Sequence, residues 1–313
     1  MRAINRTTLF LLLTFISSFT VAGIYWLLGG QGPGGIGYTI FGAFYMFIPT
    51  IAVVIIKKLI HKEEIKSDLL VSFKINKWFF VAWLAPPMVM FTTIGINLLF
   101  PNISYNPEMT GLFDRLSNIM TPDEVEQMQV AVEELPINLI WLTLIQGLIA
   151  GITINALFAF GEELGWRGFL LKAYKNLNFV KASLIIGFIW GIWHAPMILM
   201  GHNYPQHPQL GVLMMVVFCI LLTPFFLYIT IKSKSVIAVS IMHGTMNATA
   251  GISLMAIDGG SDLISGITGF AGFITLAIYL LILLIYDTYI SKDKILTNRM
   301  SKSLSSNSLN PNG

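Results

Sequence analysis

Three patterns in this sequence put reactive groups where an apolar chain has no structural need of them: Glu162-Glu163 with Arg167, Trp190 with His194, and His243 with Asn247. Residues four apart share a helix face, so Glu163 and Arg167 can pair, while Glu162 points about 100° away and stays free to act. Hydrolysis of a peptide bond needs a base to activate water, an acid for the leaving amine and donors for the developing oxyanion. These residues supply all three without a nucleophilic serine or cysteine. On this reading Glu162 and His194 activate water, Arg167 holds Glu163 ionised, and His243 with Asn247 binds the carbonyl oxygen.

The elements that must position these groups are membrane spans. Of the 313 residues, 55% are hydrophobic and 11% charged, against about a quarter charged in an ordinary soluble domain. Apolar runs recur at close to the roughly 20 residues that cross a bilayer. Breaking the chain at charged and Gly/Pro-rich segments gives candidate helices over 9–28, 38–60, 78–100, 137–171, 181–200, 210–231, 236–257 and 267–290. The expected fold class is all-α, a polytopic integral membrane bundle of about eight transmembrane helices. Arg2 and Arg6 precede an apolar stretch longer than a signal-peptide core, with no small-residue cleavage site, so 9–28 reads as the first span. With the N-terminus in the cytoplasm, alternation places every one of the 19 basic residues except Arg115 on the cytoplasmic side, and both termini there. The net charge of +3 therefore records topology and does not imply nucleic acid. The single cysteine, Cys219, offers no disulfide framework and no cysteine zinc site.

Depth brings the three patterns to one level. At about 1.5 Å of rise per residue, Glu162 lies roughly 15 Å from Lys172, His194 about 20 Å from Lys181 and His243 about 14 Å from Lys234. Ionisable residues at such depth are costly and mark function by default. Interhelical glue needs only one or two hydrogen bonds, not this many charges. Gly161 and Gly165 are four apart, as are Gly187, Gly191 and Ala195, a spacing that lets helices approach closely. Pro196 is expected to bend its helix just past His194.

These residues resemble a known family, the type II CAAX prenyl endopeptidases and the related CPBP (ABI) intramembrane proteases. The Glu-Glu-x-x-x-Arg pattern is met by Glu162, Glu163 and Arg167. The Phe-x-x-x-His pattern is met by Trp190 and His194, with tryptophan for phenylalanine, and the His-x-x-x-Asn pattern by His243 and Asn247. The resemblance covers about 137–257 and implies a helical bundle with a cytoplasm-facing catalytic cavity. It also implies the roles given above, and Trp190 and Trp193 are assigned to the substrate pocket. Members are often described as metalloproteases, and Glu162, Glu163, His194 and His243 could hold zinc. The same groups could activate water unaided, and no tightly bound metal is the preferred expectation.

The expected organisation is 1–136 with three helices and an acidic outer loop, 137–257 as the catalytic core, 258–300 as the last helix, and 301–313 as a disordered tail. The expected partners are a membrane-associated protein or peptide substrate and the lipid bilayer. The expected location is the plasma membrane of a bacterium, as a multi-pass protein. Two readings compete with the peptidase: a non-catalytic immunity or regulatory member of the same family, and a proton-coupled transporter using Glu162 and His194 as a relay.

Overall fold

Polar caps set where the helices begin. In the computed structural model, which describes residues 5–117 and 120–305, Asn5 caps α1 (Arg6–Leu27), and α2 (Ile36–Val54) continues into a π-helical turn, Ile55–Ile60. Asn76 caps α3 (Lys77–Asn97). Outside the spans come β1 (Ile103–Tyr105), α4 (Thr110–Leu116) and α5 (Pro122–Glu133), the last closed by a reciprocal Thr121–Glu124 capping box. α6 (Leu139–Ile152) leads into α7 (Ile154–Glu163), a π-helical stretch Leu164–Leu170 and the short α8 (Leu171–Ala173). Asn178 caps α9 (Phe179–Trp193), followed by α10 (Ala195–Leu199) and α11 (Pro208–Ser233). Ser235 caps α12 (Val236–Thr249), followed by α13 (Ile252–Met255), β2 (Ile257–Gly259), α14 (Phe270–Ile285) and α15 (Met300–Ser305).

The all-α membrane class holds. Among the described residues five helices are long and apolar enough to cross a bilayer, and a sixth results if the bent pair Leu139–Ile152 and Ile154–Ala173 is one span, against about eight expected. The segments expected as single spans over 181–200 and 236–257 are broken instead. The first stops at His194, two residues before Pro196, and the second ends at Thr249, before the Gly251 cap of α13. Hydropathy sees an unbroken apolar run in both; backbone hydrogen bonding does not. Large apolar side chains such as Ile16, Trp26, Phe44 and Phe188 are exposed, as lipid-facing residues must be.

The 51° bend between α6 and α7 falls at Thr153, inside what the sequence presents as one helix. Thr153 adopts φ −120° and ψ −105°, and its hydroxyl donates to Ile149 O at 2.7 Å, a back-bond that competes with the helix ladder. Close helix approach comes from glycines at the expected places. A Cβ on Gly191 would stand 2.6 Å from Val216 Cα, one on Gly187 2.8 Å from Ile220 Cα, and one on Gly161 2.7 Å from Met46 O. On α12, a Cβ at Gly244 would stand 2.5 Å from Ala156 N.

At one end of the bundle β1 pairs antiparallel with β2, Ile103 opposite Gly259. Arg115, the basic residue that the topology leaves outside, donates to Gly111 O, Ile257 O and Gly259 O at 2.7–3.0 Å. It thus ties α4 to β2. At the other end, Met300 N–H donates to Leu177 O at 3.0 Å, so the first residues of the expected disordered tail form α15 against the start of α9. The remainder of that tail, 306–313, lies outside the described residues, as does Arg2.

Gly244→Ala should lower the thermal unfolding midpoint of the detergent-solubilised chain, at a cost of about 1–3 kcal/mol from overpacking. Gly23→Ala, where a Cβ meets nothing within 4 Å, should leave it unchanged or raise it slightly, since alanine is the better helix former.

Candidate functional site

Glu162 and Glu163 end α7, and Arg167 sits in the π-helical stretch that follows. Wide π turns are uncommon and concentrate at functional sites. All three side chains are buried, with Glu163 and Arg167 at 0% exposure. Arg167 Nη1 donates to Glu163 Oε1 at 3.0 Å, the pairing that the spacing predicts. His243 Nδ1 meets the same oxygen at 2.8 Å, which joins α12 to α7. Glu163 is therefore shared by a guanidinium and an imidazole.

Trp190 organises the rest. Its indole N–H donates to Glu162 Oε2 at 2.7 Å, and its carbonyl pairs with His194 Nδ1 at 2.8 Å. Its ring lies 4.2 Å from the Arg167 guanidinium carbon and 5.5 Å from the His243 ring. Phe226 of α11 takes the guanidinium at 4.6 Å, and Thr223 accepts from Arg167 Nη2 at 3.2 Å. A desolvated cation against aromatic faces gains about 2 kcal/mol for each good contact. Arg167 is thus held by charge, ring faces and a hydroxyl together.

The structure brings Glu162, Glu163, Arg167, Trp190, His194 and His243 into one cluster at the junction of α7, α9, α11 and α12. Asn247 lies one turn beyond His243 on α12, but it is exposed and has no hydrogen bond to the described residues. It stands at the margin of the cluster, not inside it. Trp193 faces away: its indole donates to Ser18 Oγ at 2.8 Å and its ring packs 4.6 Å from Tyr45. With 2% and 1% exposure, Trp190 forms a hydrogen-bonding hub and Trp193 a packing contact. Thr223, Phe226 and Cys219, whose sulfur is 4.0 Å from His194 Nδ1, were not singled out by sequence. α11 carries no charged motif, and only the i, i+4, i+7 spacing of Cys219, Thr223 and Phe226 marks a common face.

Hydrogen bonds assign the imidazole protons. A backbone carbonyl at His194 Nδ1 requires N–H there, leaving Nε2 as the basic nitrogen. The Glu163 carboxylate likewise accepts a hydrogen bond from an N–H at His243 Nδ1. Donors for a metal do not converge: among the described residues no three His, Cys, Asp or Glu side chains form a ligand group. Glu163 Oε1, which would have to serve as a ligand, is taken by Arg167 and His243. As placed, Glu162, Glu163, His194 and His243 do not fit a zinc ion, which takes four close ligands in a tetrahedron.

Arg167→Met should cost about 3–5 kcal/mol in unfolding, because it leaves Glu163 buried without its guanidinium partner. The double variant Glu163→Gln, Arg167→Met should recover a large part of that loss in the same thermal melt.

The geometry sits within the part of the chain that resembles known proteins. Residues 136–249 match the family described as Type II CAAX prenyl endopeptidase Rce1-like. A curated relative, CAAX prenyl protease 2 of Methanococcus maripaludis, is 39% identical over 44 residues, 14% of this chain and 16% of the relative. The matched stretch thus spans about a sixth of that relative's length. The chain carries an Rce1-like domain within a multi-pass membrane protein.

Proposed function

We propose that this Rce1-like domain is an intramembrane endopeptidase that cleaves a membrane-associated protein or peptide with water activated by Glu162 and His194. The observation that carries the reading is the division of labour between the two carboxylates. Glu163 is neutralised by Arg167 and braced by His243, whereas Glu162 receives only the neutral Trp190 indole. Glu162 keeps a carboxylate oxygen with no cation on it, ready to accept a proton from water. His194 presents Nε2 as a second acceptor.

The proton bookkeeping is simple. Water loses a proton to Glu162 as its oxygen attacks the peptide carbonyl carbon, and the resulting tetrahedral oxyanion takes donors from His243 and Asn247. For His243 to donate from Nε2 while Nδ1 faces Glu163, it must carry both protons, and the Glu163 carboxylate stabilises that imidazolium. Collapse of the intermediate breaks the C–N bond, and the proton held by Glu162 passes to the leaving amine. Every step is assigned to side chains of this chain, without a metal. Exposed Asn247 suits a group that meets substrate and not the protein's own core. On the positive-inside placement, the cluster lies nearer the cytoplasmic face and both termini are cytoplasmic.

Glu162→Gln preserves size and the bond from Trp190 but removes the base. Cells expressing this variant should lose membrane-peptide termini that cells with the parent chain produce, as read by mass spectrometry. Identical termini with equal amounts of folded protein would sink the peptidase reading and favour a non-catalytic member of the family.

A further inference from the structure

A second charged site lies away from the cluster, where three spans end on one membrane face. Arg6 opens α1, Lys57 sits in the π turn that ends α2, and Lys172 lies in α8. They surround a cavity of about 230 Å³ whose wall also holds Glu63, Asp68 and the ring of Phe169. Lys57 is nearly buried and tied to both carboxylates, at 2.8 Å for Glu63. Arg6 bonds Glu63 at 2.7 Å and Lys172 bonds Asp68. The wall thus carries three cations and two anions, a surplus of one positive charge.

The surplus resides on side chains with donors to spare. A guanidinium has five N–H donors and an ammonium three. Arg6 uses Nη1 for Glu63, Lys172 meets Asp68, and their side chains are 54% and 43% exposed. The N-terminal turn of the 22-residue α1 opens at the same place, with its partial positive charge. Buried Ile56, Leu69 and Phe169 complete the wall with apolar groups. Cations at the ends of spans, above apolar side chains and at the level of lipid headgroups, are what a phosphodiester with attached acyl chains requires.

We propose that this cavity is a phosphate site occupied by the headgroup of an anionic phospholipid, which links the ends of α1, α2 and α8. The site is independent of the proposed peptidase chemistry, since none of its cations belongs to the catalytic cluster. Bound lipid would brace the helix that carries Glu162, Glu163 and Arg167 from its far end, through Lys172 and Phe169.

The test uses the full chain in detergent and reads thermal unfolding, not proteolysis. Micellar phosphatidylglycerol should raise the midpoint by about 5 °C, while phosphatidylcholine leaves it in place. Arg6→Gln and Lys172→Gln should each lose at least half of that shift, and Lys172→Arg should keep it. Lys292→Gln, which removes the same charge from an exposed position outside the cavity, should also keep it. Native mass spectrometry should show phosphatidylglycerol retained by the parent chain and not by Lys172→Gln. Equal shifts in all variants would overturn the site, as would no shift in any. An equal shift from inorganic phosphate alone would overturn the lipid assignment and leave a soluble phosphate ligand.

Discussion

A carboxylate carried into a bilayer must find its partner inside the protein, because lipid offers none and water is far. Glu163 finds two, and the arrangement of four helices follows from satisfying it. Arg167 comes from the same helix, but an isolated Glu–Arg pair would still expose a guanidinium to hydrocarbon. α9 covers one ring face of that cation with Trp190, α11 adds Phe226 and Thr223, and α12 adds His243 to the shared oxygen. Breaking such a pair costs more than the pair contributes, since the remaining charge has no solvent to return to. The ionic centre therefore specifies which helices meet more than it strengthens the bundle.

Close contact of the backbones is the condition for that arrangement. Side chains as short as Glu and His bridge two helices only when the axes nearly touch, and the glycines of α7, α9 and α12 remove the Cβ atoms that would hold them apart. Trp190 then converts proximity into geometry, with the indole N–H on Glu162, the carbonyl on His194 and the ring against Arg167. A phenylalanine in its place would keep the ring contact and lose the hydrogen bond to Glu162. In this chain the two acidic residues differ because one has a cation and the other an indole.

Much of this centre was legible in the sequence because it rests on helical spacing. The four-residue steps from Glu163 to Arg167 and from Trp190 to His194 appear as a salt bridge and as a bond from ring nitrogen to backbone oxygen. The glycine pairs act where their spacing placed them. What sequence could not carry is lateral adjacency: depth put His243 level with Glu163, and only packing put them 2.8 Å apart. Thr223 and Phe226 escaped notice because in a membrane protein a threonine and a phenylalanine inside an apolar run look like any other packing residues. The breaks within spans escaped notice for a related reason. An apolar run continues through Thr153, His194 and Gly251, but the backbone hydrogen-bond ladder does not.

The π-helical stretch Leu164–Leu170 has a consequence for how the site tolerates change. A π turn holds one residue more than the α turn it replaces, so it behaves as an insertion absorbed in place. Loss of one residue from this stretch would let the segment close to a regular α-helix with the flanking turns nearly in place, so the change would fall on the side chains inside the turn, Arg167 among them. The pairing of Arg167 with Glu163 thus depends on the width of one turn as much as on side-chain identity.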